Sequence, residues 1–101
     1  MTLDDYQRAA LRTTNPSLSD RDRLLDAAAG LSEEAGELLG LVRKQIFQGR
    51  TAPREKLVEE LGDVLWCLAV TADALGLSLD EIATANQEKL ARRHPNGFQP
   101  R

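Results

Sequence analysis

Apolar residues recur along this chain at steps of three and four, the period of one face of a helix, and predict four helices and no strand. The first is short, from about Leu3 to Thr13, and Asn15-Pro16-Ser17 breaks it. The second starts near Asp20, a suitable N-cap. It carries Leu24, Ala28, Leu31, Ala35, Leu38, Val42 and Ile46 as its stripe and ends at Gly49. Gly30, Gly36 and Gly40 weaken this helix but permit close approach of a neighbour. The third begins at Pro53, a residue suited to the first helical position, and ends at Gly76. Its stripe is Leu57, Leu61, Val64, Leu65, Leu68 and Ala72. The fourth opens on the capping box Ser78-Leu79-Asp80-Glu81, runs to about Arg92, and gives way to a turn over His94-Pro95-Asn96-Gly97-Phe98.

Two long amphipathic helices with short connections argue for an all-α fold, an antiparallel bundle of about four helices. With 101 residues the chain reads as a single domain, 1–101, and buries a limited core on its own. The broad apolar faces of the second and third helices would be closed by pairing two chains. Aromatic residues are only 4%, so aliphatic side chains and alanine must fill the interior.

The net charge of −3 gives no support for a nucleic-acid surface, which usually carries a basic patch. No apolar run is long enough to span a membrane. Residues Met1 to Arg12 are polar and amphipathic rather than a signal peptide, and a cytoplasmic protein is the expectation. The single cysteine, Cys67, excludes an intrachain disulfide and lies in an apolar run as a small hydrophobe.

The candidate chemistry is acidic. The second helix contains Glu33-Glu34-Ala35-Gly36-Glu37 and the third Glu59-Glu60-Leu61-Gly62-Asp63. Each holds an acid pair three residues apart, which are neighbours on one helix surface. Glu34 is flanked by Leu31 and Leu38, and Glu60 by Leu57 and Val64, so these carboxylates point towards the interior. Carboxylates are almost never buried without a partner, and crowded like charges raise one another's pKa. A bound cation resolves that conflict. Four oxygen ligands, Glu34, Glu37, Glu60 and Asp63, from two facing helices suit Mg²⁺, with waters and substrate phosphates completing its shell. Solvated acidic faces are the competing reading for either pair alone. A ferritin-like di-iron centre would need Glu-x-x-His on two helices, whereas the one histidine, His94, lies in the tail.

At these residues the sequence resembles the MazG-like nucleotide pyrophosphohydrolases of the all-α NTP pyrophosphatase superfamily. The E-x-x-E of Glu34 and Glu37, the E-x-x-D of Glu60 and Asp63, and the run Glu59–Trp66 carry the likeness. So do Asn86-x-x-Lys89 and Arg92-Arg93-His94-Pro95-x-Gly97-Phe98, and the opening Leu3–Gln7 is similar to small phage and bacterial single-domain members. The resemblance implies Mg²⁺-dependent hydrolysis of a nucleoside triphosphate to the monophosphate and pyrophosphate, with Mn²⁺ as a possible substitute. It implies a homodimer or homotetramer. It places Glu33 as general base and Asn86, Lys89 and Arg93 as substrate-binding residues, with the four acids as metal ligands. Base specificity stays open.

Plainer roles exist for several of these residues. Lys89 and Arg93 lie near a helix C-terminus, where cations are favourable anyway. Asn86 could face solvent. Trp66 reads as core rather than as a stacking platform, and Glu59 as solvent-facing beside Lys56. Two other function classes fit the same pattern: a catalytically silent helical nucleotide-binding or regulatory module, and a structural helical dimer.

Overall fold

The computed structural model describes residues 1–100 and contains four helices. They are α1 (Leu3–Leu11), α2 (Asp20–Gln48), α3 (Arg54–Ala74) and α4 (Leu79–Arg93), with no strand among the described residues. No single helix among them is long and apolar enough to cross a membrane.

The boundaries follow from local chemistry. Thr2 and Asp5 form a capping box at α1: the Asp5 N–H donates to Thr2 Oγ1 and the Thr2 N–H to Asp5 Oδ2. Helix α1 stops at Leu11, two residues before the expected Thr13. The Thr13 and Thr14 hydroxyls donate back to the carbonyls of Ala10 (2.7 Å) and Leu11 (2.9 Å), closing the last turn. The cap of α2 is Ser19, not Asp20. Ser19 Oγ accepts the Asp22 N–H at 3.1 Å, and Asp20 becomes a first-turn acid facing the positive helix end. Helix α2 ends as expected at Gly49, whose φ of 65° is the left-handed conformation glycine tolerates.

Pro53 caps α3 from just outside rather than opening it. The helix closes before Gly76 (φ 74°), where the Leu77 N–H returns to the Ala72 carbonyl at 2.8 Å. The Ser78–Glu81 capping box of α4 is present with both of its hydrogen bonds. The tail turn closes through the Gly97 N–H to the His94 carbonyl at 3.0 Å.

The core is built of small side chains. Ala10, Ala69, Ala72 and Leu79 form its centre, with Tyr6, Trp66 and Ile82 packed around it. A buried glutamine ties three elements together. Gln7 Nε2 donates to the carbonyls of Ala69 and Leu77, both at 3.1 Å, and Gln7 Oε1 accepts the Leu79 N–H at 3.0 Å. The Trp66 indole N–H donates to Thr13 Oγ1 at 2.7 Å, joining α3 to the end of α1.

Helices α2 and α3 form the most extensive pair. Arg23 bonds Asp73 at 2.9 Å, Gly30 lies against Cys67, and Glu37 approaches Glu60. Gly30 makes the close approach possible, since a Cβ there would lie 3.1 Å from Cys67 Sγ.

The expected stripes are covered only in part. Leu24, Leu31 and Leu38 are half-buried, but Ala28, Ala35, Val42 and Ile46 are exposed. On α3, Leu57, Val64 and Ala72 are covered, whereas Leu61, Leu65 and Leu68 are exposed. The physical reason is that each helix has two apolar faces. The contact between them includes Arg23, Gly30, Glu34 and Glu37 on α2 and Glu60, Cys67 and Asp73 on α3. A single chain covers one face of each helix and leaves Leu39, Ile46, Val58 and Leu61 more than half exposed.

Candidate active site

The acid pairs meet where α2 and α3 cross. Three-residue spacing sets Glu34 above Glu37 on one helix and Glu60 above Asp63 on the other. One carboxylate oxygen from each of Glu34, Glu37 and Glu60 lies within 4.8 Å of the other two. The three differ in depth: Glu60 is 4% exposed, Glu34 is half-buried and Glu37 is exposed. Asp63 is half-buried and stands outside this tight trio, but it borders Glu34 across an adjoining cavity of about 260 Å³.

The electrostatics are unresolved within the chain itself. Burial pushes the Glu34 carboxyl above its ordinary pKa, and the negative charges of Glu37 and Asp63 push it further. Glu34 Oε2 and Glu60 Oε2 are shielded from solvent and have no hydrogen-bond partner. Buried polar atoms are ordinarily paired, so two orphaned oxygens on carboxylates that converge require an explanation. The other Glu60 oxygen, Oε1, pairs with Lys56 Nζ at 3.1 Å. That hydrogen bond holds the Lys56 ammonium above its ordinary pKa, with Glu59 reinforcing it.

The donor set fits a hard divalent cation. All donors are carboxylate oxygens, they converge from two helices, and an oxygen each of Glu34 and Glu60 lacks any partner among the described residues.

The remaining expected residues stand elsewhere. Glu33 is exposed beside Glu34 and forms no ion pair among the described residues. Asn86, Lys89 and Arg93 are exposed on α4, which packs on α1. Asn86 lines a separate apolar cavity of about 270 Å³ with Leu3, Leu65, Leu68, Leu79 and Ile82. None of the three α4 residues borders the cavity at the acids. Trp66 is half-buried against the core, as expected, and also lines that cavity. His94 caps α4 and lines a hollow with Leu90 and Phe98. Cys67 is buried, and burial raises its thiol pKa, in keeping with a packing role.

Two features escaped sequence reasoning. Lys56 pairs with Glu60, a contact its four-residue spacing could have signalled. Asp26, Gly30 and Glu34 share one face of α2 at successive four-residue steps and together wall the cavity.

Residues 24–98 match the model of the MazG nucleotide pyrophosphohydrolase domain. The chain belongs to that family. The matched segment includes both acid pairs and all of α3 and α4. Among relatives, this MazG-family chain is 44% identical over 73 residues to a Bacillus subtilis (strain 168) protein, YvdC, whose name describes it as uncharacterized. That match covers 62% of this chain and 68% of the relative. It is 35% identical over 106 residues to the Gene 37 protein of Mycobacterium phage L5, covering 96% of this chain and 92% of the phage protein. No solved structure matches. Family membership supports nucleotide pyrophosphohydrolase activity in general terms.

Proposed function

We propose that residues 1–101 form a single MazG-like domain that hydrolyses nucleoside triphosphates to the monophosphate and pyrophosphate at a Mg²⁺ centre, with Mn²⁺ able to substitute. The observation that carries this reading is the pair of orphaned oxygens on Glu34 and Glu60, converging with Glu37 in a family of nucleotide pyrophosphohydrolases. Glu34, Glu37, Glu60 and Asp63 would hold the metal. Bound there, the ion would neutralise phosphate charge and act as a Lewis acid.

The chain's own side chains supply the rest. Water adds its oxygen to the α-phosphorus, the bond to the β-phosphate oxygen breaks, and pyrophosphate leaves. Glu33, exposed beside Glu34, takes the water's proton as general base. Asn86, Lys89 and Arg93 bind the substrate, and the two cations offset charge on the leaving pyrophosphate.

The antiparallel pairing of α2 and α3, and closure by one or more further copies into a homodimer or homotetramer, belong to this reading. The paired positions along α2 and α3 support the first. The uncovered Leu39, Ile46, Val58 and Leu61 support the second, as does the distribution of acids and α4 cations over different parts of one chain. A cytoplasmic enzyme without a nucleic-acid or membrane partner completes this reading, and the mildly acidic net charge of −3 is in keeping with the lack of a nucleic-acid surface.

Pyrophosphate release from a panel of triphosphates, with Mg²⁺ and with EDTA, tests the reaction. Metal-dependent release with matching monophosphate is expected. No release from folded, metal-binding protein would move the chain to a silent nucleotide-binding module.

Lys56 offers a separate check on the metal. Its ammonium already sits on Glu60, so it competes with an incoming cation. Lys56→Met is expected to lower the Tm in EDTA and to tighten Mg²⁺ binding by titration calorimetry. Unchanged affinity would show that amine and ion do not share the site.

A further inference from the structure

The cavity beside the acids has a wall that the hydrolytic reading does not use. Glu34 and Asp63 line it. Asp26 lines it too, eight residues before Glu34 on α2 and so about 12 Å from it along the helix axis. Trp66, Cys67 and Gly30 line the space between.

Each of these residues narrows what can enter. Gly30 carries no side chain, and Cys67 Sγ occupies the space its Cβ would need, 3.1 Å away, so this stretch of the wall is packed flat. Trp66 is held by its bond to the Thr13 hydroxyl, so it offers a fixed aromatic surface of the kind on which bases rest. Asp26 is exposed and forms no hydrogen bond or ion pair among the described residues. Glu34 and Asp63 belong to the proposed metal set, which leaves Asp26 as the one free carboxylate on the cavity wall. Its charge disfavours a phosphate there and favours instead a neutral, flat group that presents N–H donors.

We propose that this cavity receives the substrate's nucleobase and that Asp26 selects bases bearing an amino group, guanine first. The inference rests on the triphosphate reading above. A carboxylate can only accept hydrogen bonds. Guanine offers two adjacent N–H groups to its two oxygens, and cytosine and adenine offer one amino group each. Uracil and thymine set carbonyl oxygens beside their single N–H, and these would face a negative charge.

Two measurements with Asp26→Asn test this. The asparagine keeps the shape but adds a donor and removes the charge. The first compares kcat/KM for dGTP and dUTP. The protein should prefer dGTP by about tenfold or more, and D26N should bring the ratio close to unity. The second uses quenching of Trp66, the sole tryptophan, by GMP and UMP without metal. D26N should weaken GMP binding by about tenfold and leave UMP binding little changed. An active enzyme whose base ratio is the same in D26N overturns the inference and leaves the hydrolytic reading intact. If no triphosphate is cleaved, the hydrolytic reading fails. GMP-selective quenching that is lost in D26N would then still uphold the base site, and its absence would overturn that too.

Discussion

Glu37→Gln and Asp63→Asn are each expected to cut kcat for pyrophosphate release by about a thousandfold. That corresponds to losing roughly 4 kcal/mol of metal-based stabilisation of the transition state. Both replacements keep the shape of the side chain, remove its charge and exchange one acceptor oxygen for an N–H donor. Glu37 is exposed and Asp63 half-buried, and neither is in an ion pair among the described residues, so the helices should form as before. The far-ultraviolet circular dichroism should be unchanged and the Tm within about 4 °C, as for substitutions outside the packed core. Calorimetry should show Mg²⁺ affinity falling alongside kcat. Activity kept by either variant would remove that residue from the metal site. Glu60→Gln is a poorer probe, because Glu60 is 4% exposed and bonded to Lys56. Its loss would disturb folding and metal binding together.

The reasons these residues were legible in the sequence are local. Helix period, caps and acid spacing are properties of a few neighbouring residues, and they located all four helices to within two residues at each end. The same locality explains the errors. Thr13 left α1 because its hydroxyl bonds to a carbonyl and to Trp66, a partner 53 positions away. The α2 stripe through Ala28, Ala35, Val42 and Ile46 was a true apolar face, but a single chain does not cover it. Periodicity shows that a face is apolar without showing which face meets a neighbour. The apolar flanks Leu31, Leu38, Leu57 and Val64 turn Glu34 and Glu60 inward, and an oxygen of each lies within 4.8 Å of the other. The position of α4 relative to the acids depends on how α1 packs, which no local pattern encodes.

That packing turns on one side chain, and replacing it should give the largest loss of stability. Gln7→Ala removes the donor to Ala69 and Leu77 and the acceptor for Leu79 in one step. The Leu79 N–H opens α4 and has no carbonyl of its own helix to bond, so it would be left buried and unpaired. Orphaning it and the Leu77 carbonyl should cost about 3 kcal/mol together. For a domain of this size that lowers the Tm by roughly 10–20 °C, a large share of a typical stability. Gln7→Glu keeps the acceptor but sets a carboxylate against two carbonyls, and should lose at least as much. A Tm drop of less than about 4 °C in Gln7→Ala would show that water replaces these bonds at little cost. The variant also separates structure from chemistry. Gln7 touches no acid, yet it fixes where α4 leaves the core, and with it Asn86, Lys89 and Arg93. Below its Tm, Gln7→Ala should therefore bind Mg²⁺ normally and bind triphosphate weakly. Equal loss of both would mean that α1 also supports the crossing of α2 and α3.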